Sequence, residues 1–221
     1  MNNAGILITL LLVFCSGCQA IGVLATPTRH EREIPAEYDL SGQTDKRVLV
    51  LVKQPAYLNA QENLRYYLTN AVRENLVTKT KIDRENIVSY ERLSEFRSSE
   101  PDFSLLEPAA IGRALEAEMV LLIVVESYEL YEMAESGFHK GSLSSRSVLL
   151  ETSTGKKLWP QAESSKSVRV GFEFEGGERE AAVTRLAAAL GHCTARYFYD
   201  CPKKKFKIAD DRTHISWEDW D

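Results

Sequence analysis

Four glutamates, Glu126, Glu129, Glu132 and Glu135, recur at every third position, and a pair of carboxylates held at such spacing could work as general acid and base. A solvated rim calls for the same residues. Histidines offer less, because His30, His139, His192 and His214 are scattered without metal-ligand spacing and each is expected to face solvent. There is no Gly-x-Ser-x-Gly, no phosphate-binding loop and no Gly-x-Gly-x-x-Gly. The expectation is a protein without catalysis, metal or cofactor. Two thiols, Cys193 and Cys201, could bond in an oxidising compartment. A continuous helix would hold them about 12 Å apart, beyond the roughly 7 Å limit between disulfide-linked Cα atoms. Pro202 pushes Cys201 out of a helix, so a returning turn could bring them together; otherwise they are two independent half-buried cysteines.

The most specific chemistry lies at the start of the chain. Ala4 to Phe14 is a mostly aliphatic run, within the roughly 7–15 residues of a signal-peptide core and too short to cross a bilayer. It ends in Cys15-Ser16-Gly17-Cys18-Gln19, which resembles the bacterial lipobox, small residues before a cysteine that is lipidated and becomes the mature N-terminus. Cys18 is then the membrane anchor. Two departures stand out: no Lys or Arg precedes the apolar run, and Cys15 occupies the position where Leu is common. Because Gln19 is not the aspartate that retains such proteins at an inner membrane, an outer-membrane lipoprotein facing the periplasm is expected.

The elements behind these residues divide the chain. Residues 1–17 read as the signal peptide, 18–45 as anchor and tether, 46–202 as one folded domain, and 203–221 as a charged tail. A chain of 221 residues, 44% hydrophobic, can bury one sizeable core. Its net charge of −5 gives no footprint for nucleic acid. In the tether, Pro27 and Pro35 interrupt a readily solvated mixture of charges, yet a pure spacer has no need of Ile34, Tyr38 and Leu40. The first reading is a spacer from membrane to domain; the second is that these three residues pack on the domain or grip a partner. In the tail, Lys203, Lys204, Lys205 and Lys207 precede Trp217 and Trp220, which sit among acids. Either the charges merely solvate a loose end, or the two tryptophans are a docking motif for a partner.

Within the domain, Arg47 to Val52 reads as a first buried strand. Asn59 and Glu62 form a variant capping box for a helix to about Val77, with Leu64, Leu68, Val72 and Leu76 on one stripe. Tyr66 and Tyr67 border that stripe as core edge. Ile87 to Tyr90 reads as a second short strand, and Pro108 as the first turn of the next helix. Met119 to Val125 is apolar throughout, as in a strand covered on both faces. From Glu126 the pattern alternates, so that strand leaves its cover. Met133 to Gly141 turns it into a long hairpin, Thr152 to Gly155 is a tight turn, and Val168, Val170, Phe172 and Phe174 form a strand with one buried face. A helix over Glu178 to Tyr199 covers the sheet. The fold class is α/β (α+β), a single mixed sheet of about five strands in the order β-α-β-α-β-β-β-α with helices packed on it.

Three landmarks resemble those of one superfamily: Arg47 to Val52 opening the domain, Ile111 to Val120 leading into the central strand, and Leu150 to Trp159 after it. That superfamily includes the N-terminal domain of TolB, the curli-secretion lipoprotein CsgG and the penicillin-binding-protein activator LpoB. Here Glu118 and Glu151 stand where aspartates are usual. The resemblance implies a mixed-sheet periplasmic domain that binds other envelope proteins and has no catalytic set. The expected function is a lipid-anchored accessory or assembly factor. Competing readings are a carrier for lipid or glycan, which would need a deep apolar pocket, and a secretion-channel subunit. The hairpin from Glu126 to Arg146 argues against the channel, because Glu, Ser, Lys and Gly interrupt any lipid-facing side.

Overall fold

The computed structural model describes residues 33–58, 63–133, 138–175 and 178–202. Cys18 and the signal peptide, the Asn59–Glu62 capping box, Glu135 in the hairpin tip, His30, His214 and the tail with Trp217 and Trp220 lie outside the described residues.

Alternation along the first long strand explains why the sheet has two cores. In β2 (Val48–Lys53) five successive apolar side chains are buried, and pleating sends them alternately to opposite faces. Val48, Val50 and Val52 join one cluster, whereas Leu49 and Leu51 join another. The first face is covered by α1 (Leu64–Thr80) and α4 (Arg179–Ala195), whose Leu68, Val72, Leu76, Leu186 and Leu190 are fully buried there. The second is covered by α2 (Tyr90–Ser99) and α3 (Pro108–Ala114) through Leu93 and Ile111, with Leu115 just beyond. Helix α1 ends where Lys81 takes a left-handed conformation.

The five-stranded mixed sheet runs β2, β3 (Met119–Met133), β4 (Phe138–Glu151) and β5 (Lys157–Trp159), with β6 (Lys166–Glu175) also pairing β4. Strands β2 and β3 are parallel, joined by the crossover through α1, α2 and α3, and the other pairs are antiparallel. The strand expected at Ile87 to Tyr90 is a correction. Ile87 makes a single bridge to Val48, and Ser89 instead caps α2 by accepting the Arg92 N–H at 3.2 Å. The fifth strand is β5. At the tight turn Gly155 has φ +71°, and Gly112 in α3 lets that helix press on the sheet, since a Cβ there would stand 2.4 Å from Thr152 Cγ2.

The folded unit begins at Glu33, earlier than the boundary expected at residue 46. Glu33 and Ile34 form β1, antiparallel to β7 (Cys201–Pro202). The segment after it lies along the end of α4: Glu37 N donates to Tyr197 O at 2.9 Å, and Leu40 N to Phe198 O at 3.1 Å. Leu40 is 0% exposed and Tyr38 packs against the same core. These are the apolar residues a spacer would not need.

Candidate functional site

A β-bulge creates the surface of interest. The register of β3 on β4 shifts between Val125 and Ser127, leaving Glu126 as the extra residue. Side chains therefore change phase: Leu121, Ile123 and Val125 face the α1–α4 core before the bulge, and Tyr128 and Leu130 do so after it. The opposite face carries Val124, Ser127, Glu129 and Tyr131. Strand β2 accompanies β3 only as far as Val124, whereas β6 pairs β4 from Phe138 to Ser147. Strands β3, β4 and β6 thus continue as a three-stranded arm past the core that α2 and α3 help build.

On this face the cross-strand neighbours are Val124, Arg146 and Ser167; then Ser127, Ser144 and Arg169; then Glu129, Ser142 and Gly171; then Tyr131, Lys140 and Glu173. Where the arm begins, Leu122, Val124, Glu126, Arg146, Val148 and Ser165 line a groove of about 300 Å³. Its apolar floor is open, with Val124 39% exposed, and its rim is the ion pair Arg146 Nε to Glu126 Oε1 at 2.7 Å. The Ser127 and Ser144 hydroxyls meet at 2.6 Å. Lys140 pairs with Glu173 at 2.7 Å, and that hydrogen bond holds the Lys140 ammonium above its ordinary pKa. Farther along, Tyr131 is 58% and Phe138 37% exposed.

This arrangement suits docking better than proton transfer. Glu126 is committed to Arg146, Glu129 accepts at most a long 3.5 Å contact from Ser142, and Glu132 follows the phase of the covered face. A second aromatic surface lies where α1 meets α2. There Tyr66 packs edge-on against Tyr67 and Tyr90, with centroids 5.4 and 5.1 Å apart, over a groove of about 490 Å³ that Glu91, Ser94, Glu95 and Ser98 complete. Tyr67 is tied by its hydroxyl to Glu180 of α4.

The remaining sequence-selected residues fall elsewhere. His139 and His192 are buried rather than solvated, because β4 alternation and the inward stripe of α4 turn them toward the core. Cys193 and Cys201 are buried thiols with no disulfide between them. They flank Tyr199, whose hydroxyl is pushed far above the ordinary tyrosine range by burial and then by Cys201. Among the described residues no cluster of His, Cys, Asp or Glu could hold a metal ion, and no helix is long and apolar enough to cross a membrane. The signal that could have located the open face was the phase change at Glu126, read alongside the serines and charges that alternate in β4.

The fold and surface define a mixed-sheet α+β domain with a partly uncovered sheet. No family model matches the chain, and no curated protein matches it in sequence. Solved structures similar to it include the PelC dodecamer from Paraburkholderia phytofirmans, with 15% identity and a TM-score of 0.37 over 76% of this chain and 96% of that one. Lipoprotein GNA1162 from Neisseria meningitidis has 18% identity and a TM-score of 0.39 over 65% and 92%. The LpoB C-terminal domain from Salmonella enterica has 21% identity and a TM-score of 0.34 over 57% and 82%.

Proposed function

We propose that this chain is a lipid-anchored envelope protein that acts without catalysis, by binding other envelope proteins as an accessory or assembly factor. One observation carries the binding half of this reading: the arm of β3, β4 and β6 leaves an apolar groove and two exposed aromatics on a sheet face. Burying a groove of this kind, with an ion pair at its rim, is how protein interfaces gain both affinity and register. The anchoring half rests on Cys18 in its lipobox-like setting, and Gln19 after it supports a position at an outer membrane facing the periplasm. The test is crosslinked capture from native membranes with the wild type, Cys18→Ala and Val124→Glu. Recovery of the same envelope proteins by wild type, lost with either substitution, supports the reading. Recovery of lipid or glycan without protein, or capture indifferent to Val124→Glu, overturns it.

A further inference from the structure

The arm ends in two strand edges, those of β3 and β6, and they differ. The edge of β3 past Val124 carries the Glu126 bulge and a single sign of charge in Glu126, Glu129 and Glu132, devices that discourage strand addition. Strand β6 has neither bulge nor proline, and it pairs β4 without a register shift from Lys166 to Glu175. Among the described residues β4 is its one neighbour in the sheet.

The charges of β6 are symmetric about Gly171. Arg169 lies two residues before it and Glu173 two after, both exposed and both on the uncovered face. When two copies of β6 lie antiparallel with Gly171 opposite Gly171, each Arg169 faces the Glu173 of the other chain, and pairing extends from Ser167 to Glu175. Glu173 then sits between its own Lys140 and the incoming guanidinium. On the covered side the same register sets Val170 opposite Phe172. Registers centred on Arg169 or Glu173 set like charges face to face, which is destabilising.

Gly171 leaves the centre of this pairing unobstructed. It has no left-handed φ, and a Cβ there would meet its nearest neighbours, Gly141 O and Ser142 Cβ, at an ordinary 3.5 Å. Gly141, by contrast, is crowded within the chain: a Cβ there would stand 2.6 Å from Leu186 Cδ1, and that side chain would have to shift. Within the described residues nothing stands close enough to Gly171 to demand glycine, so the fold tolerates a side chain at the centre of this pairing. We infer that two copies of this protein join through β6 in a two-fold antiparallel pair centred on Gly171, making one continuous sheet across the dimer.

The full-length protein tests this with single cysteines. Opposed residues of an antiparallel pair lie about 4.5–5.5 Å apart at Cα, within disulfide reach. Gly171→Cys should therefore link to itself on oxidation and release on reduction. Arg169→Cys lies about 14 Å from its own copy in this register and should not. Separately, Arg169→Glu should weaken the dimer about tenfold, and Arg169→Glu combined with Glu173→Arg should recover part of that loss. Overturning results are a folded Gly171→Cys that stays monomeric, Arg169→Cys linking as readily, or assemblies larger than two that need the β3 edge.

Discussion

Trp159 donates its indole N–H to the Glu37 carboxylate at 2.9 Å, across 122 positions of sequence. The other Glu37 oxygen takes the Lys166 ammonium at 2.6 Å, and that ammonium lies 4.6 Å from the Tyr197 ring centroid. One carboxylate thus joins the segment after β1 to β5, to the start of β6 and, through Tyr197, to the end of α4. Trp159 is 1% exposed, so Glu37→Ala removes the acceptor of a buried indole and the partner of Lys166 together. The expected cost is about 1–3 kcal/mol, read as a fall of several degrees in Tm. Glu37→Gln keeps an acceptor for the indole and should fall between. Equal Tm values for all three would mean that the contact contributes nothing.

That contact also marks where sequence reading stopped short. Strand β2, the two helical stripes of α1 and α4, and the turn at Gly155 were legible because periodicity and turn chemistry are local. Ile34 to Leu40 falls in the tether on sequence because its apolar trio, Ile34, Tyr38 and Leu40, has no period; only the distant Trp159 and Phe198 give it a place. Ile87 to Tyr90 has strand-like residues, yet Ser89 was worth more as a helix cap. Met119 to Val125 reads as covered on both faces, but α2 and α3 reach only to about Leu122, leaving Val124 bare. Coverage depends on the length of a neighbouring layer, which one strand's composition does not encode. The open face was legible only in its edge, at Glu126.

Gly191 and Gly171 differ in the room each has. A Cβ on Gly191 would stand 2.7 Å from Ala71 Cβ and 3.1 Å from the backbone of Ala71 and Val72, where α4 crosses α1. Backbone cannot yield as a side chain can, so Gly191→Ala should force the helices apart at a cost of about 1–3 kcal/mol. Gly171→Ala should leave monomer stability nearly unchanged. Urea titration of both, at concentrations where the protein is monomeric, checks the contrast. A stable Gly191→Ala would show that the helix pair repacks freely.

Cys193 and Cys201 should behave as sheltered thiols. Both are buried, and burial disfavours the thiolate that alkylating reagents attack. Native protein treated with iodoacetamide should therefore gain no mass at either site, and protein in guanidinium should gain two additions without prior reduction. Labelling that requires a reductant would reveal a bond between them, and rapid native labelling would mean that β7 opens readily from β1.

Acid should weaken the junction between α3 and β3 in a defined direction. Glu116 there accepts from Arg92 at 3.1 Å and from Arg47 at 3.2 Å, and the Arg92 hydrogen bond, followed by the charges of Arg92 and Arg47, holds its carboxyl below the ordinary range. A carboxylate whose pKa is depressed on folding adds stability that is fully present above its unfolded value of about 4.3 and is lost as pH falls through the folded one. The side chain is exposed, so the effect is small and screened by salt. Glu116 also has φ +58°, which makes glycine a poor control, because it would relieve backbone strain while removing the charge. Glutamine keeps the strain and removes only the charge. Wild type should exceed Glu116→Gln in Tm at pH 7 and low salt, and the gap should narrow in 1 M salt, begin to shrink as pH falls below about 4.3 and vanish in stronger acid. A gap that persists in acid would mean that Glu116 acts through shape rather than charge.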